Sequence, residues 1–299
     1  EVGAENIGSL FLRGSRISYA GAVVGLALQV ALGTFVSLQA GVVAGGAVTI
    51  ASGLACIFLM PETGFRRRPR EERGSAVREF RTKAGRGARF AWAQRVVMLL
   101  ITVELFMGMS SEAFDRLKEA HFLRDVGLPG VGGLDPVVWF GIFWLAGMVI
   151  GFVAMGRMIK RVERQGRQAV TRFLFAFTLM EMVTMLVFAL TGSTWVAIAA
   201  LLGVFFARDL AGPLYTTWLN EQITDSSVRA TVLSISGQAN AIGQAGGGPV
   251  LGVIGNVWGI RAALAGGAIV IAPALGLYAR AMRHGGQEPE LEELPATVA

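Results

Sequence analysis

The sequence predicts an all-α integral membrane protein with eight transmembrane helices. Three observations carry that expectation. The 299 residues are 53% hydrophobic and only 16% charged, and mean hydropathy is +0.55, whereas soluble domains carry roughly 25% charged residues. Eight apolar stretches approach the roughly 20 residues that a helix needs to cross a bilayer core. Forty glycines suit helices whose backbones approach closely in a membrane.

The stretches fall at about 16–37, 41–60, 96–115, 137–157, 173–191, 195–219, 231–254 and 261–281. The opening EVGAENIGSL lacks the basic n-region of a cleavable signal. Arg13 and Arg16 precede the first span. The second holds the single cysteine, Cys56, which has no intrachain partner and reads as lipid or core packing. The loop RRRPREERGSAVREFRTKAGRGARFAWAQR follows, then six spans and the acidic tail HGGQEPELEELPATVA. The loop reads first as a solvated basic connector and second as an amphipathic helix on anionic lipid. The organisation expected is a two-span segment over 1–65, a basic cytoplasmic linker over 66–95, a six-helix half over 96–283 and a disordered tail over 284–299.

A net charge of +6 and a pI near 10.2 would fit nucleic acid, but the basic residues segregate by loop. Of 27 Lys and Arg, only Arg116, Lys118, Arg124 and Arg261 fall on the side opposite the basic linker, and Arg208 falls inside a span. The positive-inside rule makes the rich side cytoplasmic, with both ends of the chain inside. The expected partners are therefore the bilayer, protons and a small-molecule substrate, with no nucleic acid.

The first and seventh spans open alike. LRGSRISYAG lies over VRATVLSISG, matching Arg13 to Arg229, Ser15 to Thr231, Ser18 to Ser234 and Gly21 to Gly237. Such an echo suits the internal repeats of secondary transporters. Three further stretches carry a resemblance. FLMPETGF (Phe58 to Phe65) resembles the Pro-Glu-Thr element that closes the sixth span of the major facilitator superfamily. WLNEQITDSSVRATVLSISGQANAIGQAGGGPVLG (Trp218 to Gly252) resembles that superfamily's tenth-to-eleventh span junction in bacterial, drug-efflux-like members. GRMIKRVERQGR, with Gly156, Arg161, Gly166 and Arg167, resembles its second, degenerate cytoplasmic Gly…Asp-Arg-x-Gly-Arg loop, although Lys160 stands where the acid would be.

The resemblance implies the fifth to twelfth spans of a twelve-helix fold, with the first four spans not in this sequence. It implies a bacterial cytoplasmic-membrane permease, monomeric at full length, that would not transport without those spans. GGGPVLG, with Gly248 and Pro249, is partly like an antiporter element and favours export, beside a plain reading as a bendable helix.

Four charges lie inside spans: Glu104, Glu181, Arg208 and Asp209. A charge at the bilayer centre costs at least about 2.5–3.5 kcal/mol, so each calls for a reason. At 1.5 Å per residue, Glu104 and Glu181 lie about 12 Å from the cytoplasmic edge and Asp209 about 9 Å, one layer. At least one of Asp209 and Glu104 is expected to carry a proton during transport, with Arg208 pairing to the ionised form. The plainer alternative is a static pair such as Glu181 with Arg208. Gly212 and Pro213 offer a bend one turn on.

Glu112, Asp115 and Arg116 share a helix face near the outer end of the third span and read as an outer gate or interface network. His121, beyond it, reads as a solvated loop residue. Gln238, Asn240, Gln244 and Gln29 read as interhelical amides or cavity lining. No metal-spaced cluster, Walker loop or Ser-His-Asp set appears, so no cofactor and no enzyme activity is expected. The function expected is proton-coupled export of a small organic solute by alternating access. The alternatives are uptake by proton symport and a non-transporting membrane scaffold or receptor.

Overall fold

Apolar runs this long satisfy their backbone only as helices, because lipid offers no hydrogen-bond partner. The structure, a computed structural model, describes residues 4–59, 76–130, 132–165 and 167–284, with side chains over 20–59, 81–82, 84–130, 132–158 and 170–282. The described elements are α-helices and one π-turn: α1 (Ala4–Phe35), α2 (Leu38–Leu59), α3 (Ala76–Ala93), α4 (Arg95–His121) with a π-turn at Phe122–Val126, α5 (Pro136–Gln165), α6 (Arg167–Leu190), α7 (Thr194–Gln222), α8 (Arg229–Trp258), α9 (Ile260–Val270) and α10 (Ala272–His284). Among the described residues there is no strand.

Six helical segments are long and apolar enough to cross a membrane: Leu38–Leu59, Arg95–Val126, Pro136–Met158, Val170–Leu190, Thr194–Gln222 and Ile260–Met282. Their length and apolar content are consistent with a membrane protein. The expected count was eight. The described apolar part of α1, Ala20–Phe35, is shorter than the six. The 30-residue α8 is not among them; Gln238, Asn240, Gln244 and its many glycines dilute its apolar content.

The chain forms two units, residues 1–72 with 130–146 and residues 73–129 with 147–299. In the first, Gln29 of α1 lies across α2: its carboxamide stands 2.9 Å from where a Cβ on Gly41 would sit and 3.0 Å from one on Gly45. Val137 and Val30 fill the space beside Gly33 and Gly141, joining α1 to the start of α5. Cys56 is exposed on α2.

In the second unit, glycine stripes set the helix approaches. A Cβ on Gly108 of α4 would strike the Asn240 carbonyl, and one on Gly243 of α8 would strike the Leu105 carbonyl. One on Gly247 would lie 2.6 Å from the Met109 carbonyl. Gly243 and Gly247 thus form a small-xxx-small seam that lets α8 lie backbone to backbone on α4. Gly203 of α7 packs on Thr184 of α6 in the same way. Gly259, at φ +90°, makes the turn from α8 to α9 in a region that favours glycine.

The basic linker is not simply solvated. Its second half is α3, which the sequence reading put second as an amphipathic helix. Ala84, Gly87, Ala88 and Ala91 recur at helical spacing. Gly87 and Ala91 are buried, Gly87 against Thr231 of α8. Arg81, Arg86, Arg89 and Trp92 lie exposed. The Pro-Glu-Thr stretch from Met60 onward, the first part of the linker and the acidic tail beyond His284 lie outside the described residues, as do Gly166 and the side chains of Arg13, Arg161 and Arg167.

Candidate functional site

The glycine seams decide which polar groups meet. The α4–α8 seam brings Asn240 over Glu104, whose Oε2 accepts a hydrogen bond from Asn240 Nδ2 at 2.7 Å. The Asn240 carboxamide oxygen accepts in turn from Gln244 Nε2 at 2.6 Å, which fixes the amide's orientation. The α6–α7 contact at Thr184 and Gly203 sets Glu181 beside Arg208, roughly one turn away on each helix. Arg208 Nε donates to Glu181 Oε1 at 2.6 Å, and its Nη1 donates to Asp115 Oδ1 at 2.8 Å. The guanidinium also lies 4.9 Å from the centre of the Phe114 ring, a cation–π contact.

These groups line one cavity of about 320 Å³, which Glu104, Asp115, Glu181, Arg208, Asn240 and Gln244 share with Tyr215 and Tyr278. Tyr215 is pinned: its hydroxyl donates to the Leu100 carbonyl at 3.2 Å and lies 2.7 Å from Ser236 Oγ. Trp218 stacks on Tyr278 with centroids 6.3 Å apart. Glu181 is 1% exposed, and among the described residues its Oε2 and Arg208 Nη2 are buried without a hydrogen-bond partner. The second arm of that ion-pair fork is therefore open.

Three expectations need correction. Asp209 does not face Arg208. It is exposed on another side of α7, where a Cβ on Gly151 of α5 would meet its carboxylate, because consecutive helical residues point about 100° apart. Asp115 does not join Glu112 and Arg116 in one network: α4 runs on past residue 115 to His121 and into the π-turn, and Asp115 reaches Arg208. Glu112 and Arg116 pair with each other instead, at 3.3 Å, with Arg116 exposed.

The third correction is His121, which is fully buried rather than solvated. Its Nδ1 lies 2.9 Å from Asp125 Oδ2 and its Nε2 lies 2.9 Å from the Phe188 carbonyl. Arg261 adds hydrogen bonds to the Leu190 and Asp125 carbonyls at 3.3 Å each. Together they tie the ends of α4, α6 and α9. The sequence reading had no pattern that pointed to this cluster.

The remaining candidates lie apart from the cavity or only border it. Gln238 is exposed on α8 and Gly156 on α5, with open space around the glycine. Arg229 opens α8 and donates to the Ile223 carbonyl at 3.4 Å. Gly212 lines the cavity; Pro213 lies within a continuous α7 and Pro249 within a continuous α8, and Gly248 faces Glu112. Lacking an N–H, Pro213 leaves the Asp209 carbonyl without its helical donor. Among the described residues no three His, Cys, Asp or Glu side chains gather as a metal site.

Comparison with family models and with curated proteins finds no match for this chain.

Proposed function

We propose that this chain is part of a secondary active transporter, and that the cavity between α4, α6, α7 and α8 binds solute and protons. The observation that supports this most is the cavity itself. Four ionisable side chains, Glu104, Asp115, Glu181 and Arg208, converge on one hollow inside helices built for lipid. Ionisable groups at that depth are costly, and such groups commonly mark a transport pathway. Eight crossings with cytoplasmic ends, following the basic residues, belong to this reading, as does the major facilitator resemblance.

In the mechanism we favour, Arg208 is held by Glu181 and Asp115 while both are ionised. Protonating one of them frees an arm of the guanidinium. Glu104, held by an uncharged amide, is the second proton site. Proton binding and solute binding then compete for the same carboxylates, which couples export of a small solute to proton entry by alternating access. A non-transporting membrane scaffold is favoured by one observation, the tight Arg208–Glu181 pair, which alone would brace α6 to α7.

The test is uncoupler-sensitive flux in membrane vesicles from cells carrying the gene as it stands at its locus. Flux outward against protons supports export, flux inward with protons supports symport, and no solute flux across a broad panel leaves the scaffold.

A further inference from the structure

With its carboxylates ionised, the cavity's charges do not balance. Three carboxylates, Glu104, Asp115 and Glu181, face a single guanidinium, that of Arg208. Arg208 is already engaged, by Glu181 through Nε and by Asp115 through Nη1. Among the described residues, the Glu104 carboxylate receives only the neutral amide of Asn240. A second observation is independent of the count: Glu181, 1% exposed and lining the cavity, keeps Oε2 with no hydrogen-bond donor among the described residues. A buried acceptor left this way is costly until a donor reaches it.

We propose that the cavity is a site for a small organic cation, a primary or secondary ammonium, with Glu104 as its counter-charge. An ammonium carries both things the cavity lacks, a positive charge for Glu104 and N–H donors for an oxygen such as Glu181 Oε2. Tyr215 and Tyr278, which line the same cavity, supply aromatic surroundings for its apolar part. An anion would meet three carboxylates and a guanidinium with only Nη2 left unpaired among the described residues. A neutral solute would leave the excess negative charge uncompensated. This names the substrate class for the transporter reading and rests on that reading for what the cation does there.

The experiment measures binding rather than transport. The purified chain, in phosphatidylcholine nanodiscs at neutral pH, is titrated with benzylammonium, benzyl alcohol and benzoate, which share size and ring but differ in charge. Benzylammonium is expected to bind at least about tenfold more tightly than benzyl alcohol, as a charge-assisted contact should, with benzoate weakest. Glu104→Gln should erase that preference. Asn240→Asp, which adds a second carboxylate at the same spot, should enlarge it, and it decides the matter if Glu104→Gln does not fold. Equal binding of the three probes, no binding, or a preference that neither variant changes overturns the proposal. Selective ammonium binding by a protein whose gene drives no flux would keep this site and remove the transport reading. Flux of neutral or anionic solutes without ammonium binding would do the reverse.

Discussion

Arg208 on α7 donates from Nε to Oε1 of Glu181 on α6 at 2.6 Å, and the carboxylate it holds is 1% exposed. That single contact joins two membrane helices and forms one wall of the charged cavity. Its energetic meaning follows from burial: removing Arg208 alone strands the Glu181 carboxylate in a low dielectric, whereas removing Glu181 leaves Arg208 its bond to Asp115.

Removing Arg208 alone is therefore expected to cost more than removing both partners. Arg208→Leu should lower stability by about 3–5 kcal/mol, the range for an uncompensated buried charge. Arg208→Leu with Glu181→Leu should recover most of that loss. Unfolding of the two single variants and the double variant in mild detergent checks it, and a double variant as unstable as the sum of the singles would contradict it.

The α4–α8 seam predicts a contrast between neighbouring glycines. Gly243→Ala puts a methyl onto the Leu105 carbonyl, backbone that cannot yield. Its cost should be about 1–3 kcal/mol, as overpacking gives, and Asn240 should shift off Glu104. Gly246→Ala, three residues on with open space around it, should be close to neutral. Thermal stability of the two variants side by side tests this.

His121 should behave as a core residue. His121→Ala removes a fully buried ring and both of its hydrogen bonds, and an expected loss of about 2–4 kcal/mol combines the cavity and the stranded Phe188 carbonyl. His121→Phe should lose less, because it refills the space beside Phe188. A solvated histidine would give no measurable effect in either variant.

The turn between α7 and α8 carries a mild acid sensitivity. Asp225 Oδ1 accepts the Ser227 backbone N–H at 2.8 Å, and hydrogen bonds from Ser227 hold this exposed carboxyl below its ordinary value. A depressed folded-state value means that the contribution is present at neutral pH and is lost as pH falls through that value. NMR titration of Asp225 should show the low midpoint, and Ser227→Ala should raise it.

How much of this was legible in the sequence differs by feature. The helices were, since apolar runs of that length have no other solution in lipid. Glu104, Glu181 and Arg208 stood out because charges inside such runs are costly. Depth along a helix can be counted from sequence, but direction around it cannot without knowing the neighbours. Asp209 thus looked like the partner of Arg208 and faces Gly151 instead. Asp115 reads as a partner of Glu112 and Arg116, its neighbours on one helix face, and reaches Arg208 instead. The stripe Ala84, Gly87, Ala88 and Ala91 was a readable signal for α3, masked by the arginines between its members. His121 could not be found, because its partners come from Asp125 and from a carbonyl 67 residues away.

The central claim is that carboxylates in the charged layer couple proton movement to solute movement. Its most direct test is uncoupler-sensitive flux in vesicles, compared between the unaltered gene and Glu104→Gln, with Asp115→Asn as the second variant. The account predicts flux in the unaltered protein and at least about a tenfold loss in Glu104→Gln at equal expression, the scale of one lost charge-assisted contact. Undiminished proton-driven flux in both variants would contradict it.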